Sequence, residues 1–227
     1  MTELQVLNRE IISCRECPRL VEYRERVART KRRAFQSWDY WGRPVPGFGD
    51  PAAEMLIIGL APAAHGGNRT GRVFTGDRSG DFLFRALYEA GFASQPISIS
   101  VGDGLTLSNA YISAAVRCAP PGNKPLLEEF QNCRPYLERE LAALGRVRVV
   151  VVLGKTAMDT YLTILKAQCK IERRSAFAFG HNRVHRTGPD QPVLICSYHP
   201  SQQNTSTGKL TAPMLRAVFE RAKELLS

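Results

Sequence analysis

Met55-Leu-Ile-Ile58 runs straight into Gly59-Leu-Ala-Pro-Ala-Ala-His-Gly-Gly-Asn-Arg-Thr-Gly-Arg-Val-Phe-Thr-Gly-Asp77, and the reading of this junction decides the fold. The four apolar residues read as a buried strand. Residues 79–90, Ser-Gly-Asp-Phe-Leu-Phe-Arg-Ala-Leu-Tyr-Glu-Ala, read as the helix that answers it. Between them lie five glycines and one proline, counted from Gly59 to Gly76. Glycine carries no side chain to block a ligand, so such a loop brings backbone N–H groups close to one. The loop also gathers His65, Arg69, Arg72, Phe74, Asp77 and Arg78, a mixture suited to a flat, phosphate-bearing substrate. A plain surface connection is the alternative, but structureless loops of this length in compact domains are usually functional. The run is neither a Walker loop nor a dinucleotide fingerprint, because Gly-Lys-Ser/Thr and G-x-G-x-x-G are both missing.

Outward from this junction the strand–loop–helix unit recurs. A second strand is expected over 107–116, with its helix over 125–144, Pro125 in the first turn and Gly145 past the end. The third strand, Val147-Arg-Val-Val-Val-Val-Leu153, is a β-branched run of the kind covered on both faces. The fourth is Val193-Leu-Ile-Cys-Ser197, and a last helix begins near Thr211 with the stripe Leu215, Val218, Phe219 and Leu226. This alternation predicts an α/β fold: a four-stranded parallel sheet between helix layers, forming a single domain over 1–227. Ligands of such sheets bind beyond the carboxyl ends of the strands. Here those ends feed the loops 60–78, 117–124, 154–156 and 198–210. Residues 168–190 form a basic excursion, with a hairpin expected through Phe177–His185. Residues 34–53, rich in aromatics, Gly and Pro, are expected to cover a sheet edge.

Before the sheet, residues 2–13 read as an amphipathic helix with Thr2 and Gln5 as a capping box. A second helix is expected from Arg19 to Thr30. Residues 19–33 hold seven Arg/Lys against two Glu. Such a run is a solvated helix face or, beside DNA, a grip on phosphates. The 227 residues carry a formal charge of +10, with pI near 9.6. That balance favours an anionic partner, nucleic acid first. No apolar run is long enough to span a bilayer, and no signal-peptide core is present, so a cytoplasmic protein without membrane partners is expected.

In a reducing compartment six cysteines are more often ligands or core residues than disulfides. Cys14 and Cys17 form a C-x-x-C. Cys118 ends the second strand, and Cys133 lies in the following helix. A strand end and the first half of the next helix can face one point, and a docked C-x-x-C completes four thiolates. Four cysteines suit either a [4Fe–4S] cluster or structural zinc, and spacing alone does not separate them. Either would staple the N-terminal helices, about 1–33, to the sheet. Cys196 reads as core, and Cys169 has no evident partner.

After the fourth strand comes Tyr198-His-Pro-Ser-Gln-Gln-Asn-Thr-Ser-Thr-Gly-Lys209. His199 stands at a strand end opposite the Gly-rich loop, which favours a functional role over a core histidine. Taken together, Gly59–Arg72, Val73–Gly80, Tyr111–Lys124, His199–Thr205 and the C-x-x-C resemble the iron–sulfur uracil-DNA glycosylases, and most closely their family-5, type-b branch. The matches span Cys14 to Lys209. The resemblance implies a four-stranded parallel sheet in a three-layer sandwich, a [4Fe–4S] cluster on Cys14, Cys17, Cys118 and Cys133, and base flipping from uracil-containing DNA; a monomer is expected. Two departures mark the branch: Ala63-Ala64-His65 where relatives carry an acid or amide, and Ala114 where others carry a uracil-reading Asn.

Excising a base leaves a cationic sugar and an anionic base. Asp77 is assigned to orienting water and offsetting the cation, and His199 to donating a hydrogen bond to the leaving base. Phe74 is expected to stack on the flipped base. Backbone amides of Gly59, Leu60 and Ala61 read its edge, and Asn123 assists base or water. His65 is the reserve candidate. Arg69, Arg72, Ser201 and Lys209 are expected to hold phosphates. Ala114 predicts a roomier pocket that takes other deaminated bases such as hypoxanthine. The rival functional class is a non-catalytic DNA-binding module with a structural metal site of four cysteines. A metal-dependent nuclease would need clustered carboxylates, and the central loop offers one.

Overall fold

The computed structural model describes residues 2–227. Helix α1 (Glu3–Ser13) opens with the expected capping box: the Gln5 N–H donates to Thr2 Oγ1 at 3.3 Å, and the Thr2 N–H to Gln5 Oε1 at 2.9 Å. Helix α2 (Pro18–Thr30) starts on proline, whose missing N–H would have been orphaned at that position anyway. Strand β1 (Phe48–Gly49) is short. Strand β2 (Met55–Gly59) leads through the single helical turn α3 (Gly67–Thr70) to α4 (Arg78–Glu89). Strand β3 (Ala110–Ala114) precedes α5 (Leu127–Ala143), and β4 (Val149–Leu153) precedes α6 (Lys155–Ala167). Strands β5 (Arg183–Arg186) and β6 (Val193–Ser197), the short α7 (Gln202–Ser206) and α8 (Ala212–Leu226) complete the chain.

The sheet order is β1-β3-β2-β4-β6-β5. Its centre, β3-β2-β4-β6, is the expected four-stranded parallel core, and antiparallel β1 and β5 extend it to six strands. The hairpin expected through Phe177–His185 lies instead between β5 and β6, where Val184 pairs with Ile195 and Arg186 with Val193. The α5 helix starts at Leu127, so Pro125 lies ahead of it rather than in its first turn.

Side chains alternate across the sheet, and the two faces explain the layers. Met55, Ile57, Val149, Val151 and Ile195 face Leu83, Phe84 and Leu87 of α4 and Leu215, Val218 and Phe219 of α8. Leu56, Ile58, Val150, Val152 and Leu194 face Leu4 of α1, Leu137 of α5 and Met158, Tyr161 and Leu165 of α6. Every residue of β2, β3 and β4 is buried, which is why β2 and β4 read as unbroken apolar runs. The result is a three-layer α/β/α sandwich. Among the described residues no helix is long and apolar enough to cross a membrane.

Candidate active site

Register places the carboxyl ends of the central strands level: Gly59 pairs with Ala114, and Leu153 with Ser197. The loops that follow therefore share one edge. Phe74 sits over Gly59 with φ +50°, and a Cβ on Gly59 would lie 2.6 Å from its ring. Only glycine admits the ring there. Across the edge, the His199 ring centroid lies 5.9 Å from that of Phe74, tilted 34°. Neither His199 ring nitrogen has a hydrogen-bond partner among the described residues, while its carbonyl accepts from Asn204 Nδ2 at 2.9 Å. Burial pushes the imidazole down to about 4, so the ring is neutral at physiological pH. A neutral imidazole keeps one N–H to donate.

Asp77 is the N-cap of α4. Its Oδ1 accepts the Gly80 N–H at 3.0 Å, which leaves Ser79 inside the helix. Its Oδ2 closes on Gly66, where a Cβ would lie 2.0 Å away. Burial pushes the Asp77 carboxyl up, against the backbone N–H groups of Gly80 and Ser79, which pull it down. The Gly-rich loop thus folds back so that its first half touches the carboxylate at its end.

The remaining expectations divide. Gly59 and Leu60 extend the β2–β3 ladder, their carbonyls accepting the Ala115 and Val116 N–H groups at 2.9 Å, and Ala61 follows without a ladder bond. Ala114 is buried beside Gly59, and its methyl leaves that corner small. His65 is half-buried and bonds through Nδ1 to the Tyr40 hydroxyl at 3.0 Å. Burial, then Arg32 and Arg69, hold its imidazole below the ordinary value. Ser201 caps α7, accepting the Asn204 N–H at 3.3 Å. Lys209 is exposed, its ammonium 5.0 Å from the Tyr198 ring centre. Asn123 is exposed on a 3-10 turn with φ +57°, and no hydrogen bond ties its side chain to Asp77 or His199.

Arg69 and Arg72 correct the expectation of a phosphate grip. Both are buried, at 4% and 5% exposure. Arg69 lies over the rings of both Phe35 and Trp38, 3.9 and 4.1 Å from their centres, and donates to the carbonyls of His65 and Gly76. Arg72 donates to Thr75 Oγ1, Ser98 Oγ and Asp103 Oδ2, the last at 2.6 Å. Burial opposes ionisation of Asp103, yet Arg72 and the N–H groups of Ile99, Leu105 and Ser100 hold its carboxyl well below the usual range. These guanidiniums shape the loop from within. In the basic run 19–33, Arg19 is likewise spent on Glu129 at 2.8 Å, and Arg24 is buried. Arg29, Arg32 and Arg33 are exposed and form no ion pair among the described residues.

One brace escaped the sequence reading. His181 stacks on Tyr198 at 5.1 Å and accepts the Tyr198 N–H on Nδ1 at 3.3 Å, fixing the residue before His199. Its only sequence signal is its place in the basic excursion.

Behind the loop, Cys14, Cys17, Cys118 and Cys133 line one cavity together with Arg24, Arg117, Asn132 and Tyr136. All four are free thiols, and Ala61 packs against their apolar surround. Arg24 Nη1 donates to Cys118 Sγ at 2.8 Å, and Asn132 Nδ2 to Cys17 Sγ at 3.4 Å. Burial pushes the Cys118 thiol up to about 11 and the Cys133 thiol up to about 12. Bare thiolates are therefore disfavoured there, and the donor set fits a group that supplies positive iron or zinc. A single zinc needs its four sulfurs about 3.8 Å apart, from Zn–S bonds near 2.3 Å. Among the described residues no three His, Cys, Asp or Glu side chains converge in that way.

Comparison with known proteins agrees with this arrangement. The family model described as the uracil DNA glycosylase superfamily matches residues 46–223. A type-5 uracil-DNA glycosylase of Thermus thermophilus is 51% identical over 215 residues, covering 95% of this chain and 94% of the relative. A type-5 uracil-DNA glycosylase of Mycobacterium leprae is 50% identical over 220 residues, 96% and 94% of the two chains. A type-4 uracil-DNA glycosylase of Sulfurisphaera tokodaii is 28% identical over 229 residues, 97% and 81% of the two.

Proposed function

The chain belongs to the uracil DNA glycosylase superfamily, and from its site we infer that it is a uracil-DNA glycosylase hydrolysing the bond between uracil and deoxyribose in DNA. The observation that carries this reading is the convergence over Gly59 of an aromatic face, Phe74, and an unpartnered neutral imidazole, His199, with the Asp77 carboxylate closing the same loop.

A duplex hides the bond, so the nucleotide must be flipped out of the stack. Phe74 then offers its face to the extruded base. As C1′–N1 breaks, the electron pair leaves with the base, and His199 donates a hydrogen bond to the oxygen that gains charge. Water oxygen bonds to C1′, and the proton it sheds passes by way of the Asp77 carboxylate to the departed base anion, so that neutral uracil leaves. Asp77 Oδ2 orients that water and offsets the sugar cation, while Oδ1 stays on the helix cap. A partly desolvated carboxylate is a stronger base than one in water, which suits this task. Small Ala114 leaves room for a larger deaminated base, so hypoxanthine is a second substrate. Arg29, Arg32, Arg33 and Lys209 supply phosphate contacts, and Ser201 adds a hydroxyl.

The four cysteines hold a [4Fe–4S] cluster in this reading, tying α1 and α2 to β3 and α5. When bound, the cluster supplies a covalent cross-link that a core of this size uses for rigidity, with no part in breaking the glycosidic bond. The protein acts as a monomer on DNA in the cytoplasm. The test is release of free uracil from a duplex holding one uracil, followed by alkaline cleavage at the abasic site. Absence of both products refutes the reading. Competition between uracil and hypoxanthine duplexes tests base range, and strict use of uracil would remove the second substrate.

A further inference from the structure

Arg24 and Arg117 take no part in base excision as derived above, and both are almost fully buried, at 2% and 1% exposure. A buried guanidinium is retained where an anion meets it. Arg117 has one: its Nη2 donates to Glu140 Oε2, which also accepts from Ser113 Oγ at 2.5 Å. Arg24 has no carboxylate partner among the described residues. Its Nη1 donates to Cys118 Sγ at 2.8 Å and its Nη2 to the Cys14 carbonyl at 3.1 Å, and its Nε is buried with no partner. Both residues line the four-cysteine cavity. Arg117 Nε and Nη1 are also buried without partners.

Glu140 answers Arg117, so the positive charge left over on the cavity wall is that of Arg24. Glu16, the one carboxylate that also lines the cavity, is exposed. Four thiolates around a cluster core carrying two positive charges leave a net dianion. We propose that Arg24 is the built-in counter-charge of this metal site, holding the anionic tetrathiolate cluster through Cys118 and setting its reduction potential. The inference rests on the cluster reading above.

The physical warrant is that net charge, hydrogen bonds to the sulfurs and burial set the potentials of such clusters. Reduction adds one electron to the cluster. A cation touching a ligand sulfur in a buried site stabilises the reduced form more than the oxidised one. Removing that cation lowers the potential. It also leaves thiolate charge uncompensated, which speeds loss of iron. Arg24 is therefore a positioning and charge-balancing residue. Its side-chain hydrogen bonds go to Cys118 and the Cys14 carbonyl, and none joins it to Phe74, Asp77 or His199 among the described residues. Its backbone supports the loop separately, since the Arg24 carbonyl accepts from Asn68 Nδ2 at 3.2 Å. That contact survives any side-chain change.

The experiment uses the holoprotein and two variants. Arg24→Lys keeps the charge and loses the fork. Arg24→Gln keeps an amide donor and loses the charge. Iron and acid-labile sulfide are measured first. The midpoint potential then comes from a dye-mediated redox titration, and cluster loss from the visible absorbance in the presence of EDTA and air. The expected result is a lower potential and several-fold faster bleaching for Arg24→Gln, with Arg24→Lys nearer to wild type in both. Should Arg24→Gln emerge folded but without iron, retention of the cluster by Arg24→Lys supports the same conclusion. Brown wild-type protein with an Arg24→Gln variant of unchanged potential and bleaching overturns the counter-charge role and leaves the cluster reading standing. Equal damage in the two variants overturns it too, because geometry rather than charge would then be at stake. Wild-type protein without iron and sulfide refutes the cluster reading, and this inference with it.

Discussion

The mechanism proposed above gives Asp77 two roles on two oxygens, and a pair of substitutions separates them. Oδ1 caps α4 through Gly80 at 3.0 Å, while Oδ2 lies inside the loop against Gly66. Asparagine caps a helix about as well as aspartate, and alanine loses the cap at about 1 kcal/mol. In a domain of this size that is a fall of about 2–4 °C in Tm. Burial also pushes the Asp77 carboxyl up, so the folded state holds its charge at some cost. Asp77→Asn removes that cost and keeps the cap. We therefore expect Asp77→Asn to melt no lower than wild type, and Asp77→Ala to melt below Asp77→Asn. Both variants lose the carboxylate proposed to orient water, so single-turnover excision of uracil is expected to fall about 10²–10⁴-fold in each. The assay mixes excess enzyme with a duplex containing one uracil and quantifies alkaline cleavage over time, with melting measured on the same preparations. An Asp77→Asn variant excising at the wild-type rate would reduce Asp77 to a helix cap and move the water-orienting role to His65.

Further outcomes follow from the same geometry. Gly59→Ala puts a methyl 2.6 Å from the Phe74 ring. Displacing that ring is expected to slow excision by about 10²-fold at a stability cost of about 1–3 kcal/mol, read by single-turnover kinetics and urea melts. Arg72→Met takes the guanidinium from Asp103 and leaves its carboxylate on the backbone N–H groups of Ile99, Ser100 and Leu105, with an expected loss of about 1.5–3 kcal/mol in a denaturant titration and no change in the salt slope of DNA binding. Substituting exposed Arg32 should instead lower that salt slope by about 1 and leave stability alone, measured by fluorescence anisotropy across salt concentrations. His199 is depressed from 6.5 to about 4 by burial. Between those values the unfolded chain binds the extra proton, so stability is full above pH 6.5 and is lost as pH falls towards 4, by on the order of 2–3 kcal/mol. Urea midpoints of His199→Gln against wild type from about pH 4 to 7 check this, and parallel curves would exclude it.

What the chain alone discloses depends on how local each signal is. The capping box of Thr2 and Gln5 and the run Val149–Val152 are legible because a helix start and a doubly covered strand are written in consecutive residues. Strand β1 is not: two residues, Phe48 and Gly49, carry no periodicity. Strand β5, Arg-Val-His-Arg, is mostly exposed and polar, so its pairing with β6 is dictated by the turn at 187–192 and by the neighbour it meets. The site shows the same division. Phe74, Asp77 and His199 can be placed from strand ends and loop composition. The burial of Arg69 and Arg72 cannot, because it depends on Phe35, Trp38 and Asp103, which lie roughly thirty residues away in the chain. Arginine is read as a surface cation by default, and only its aromatic and carboxylate neighbours reveal the other use.

The edge bearing Phe74, Asp77 and His199 is held to cut uracil from DNA, and this is the central claim. Its most direct measurement is the appearance of free uracil, by chromatography, when purified protein meets a duplex with a single uracil. The expected result is stoichiometric uracil release, an alkali-labile site at that position, and loss of both on Asp77→Asn. DNA retained on the protein with no uracil set free would contradict it, and the chain would then be a binding module built on a glycosylase frame.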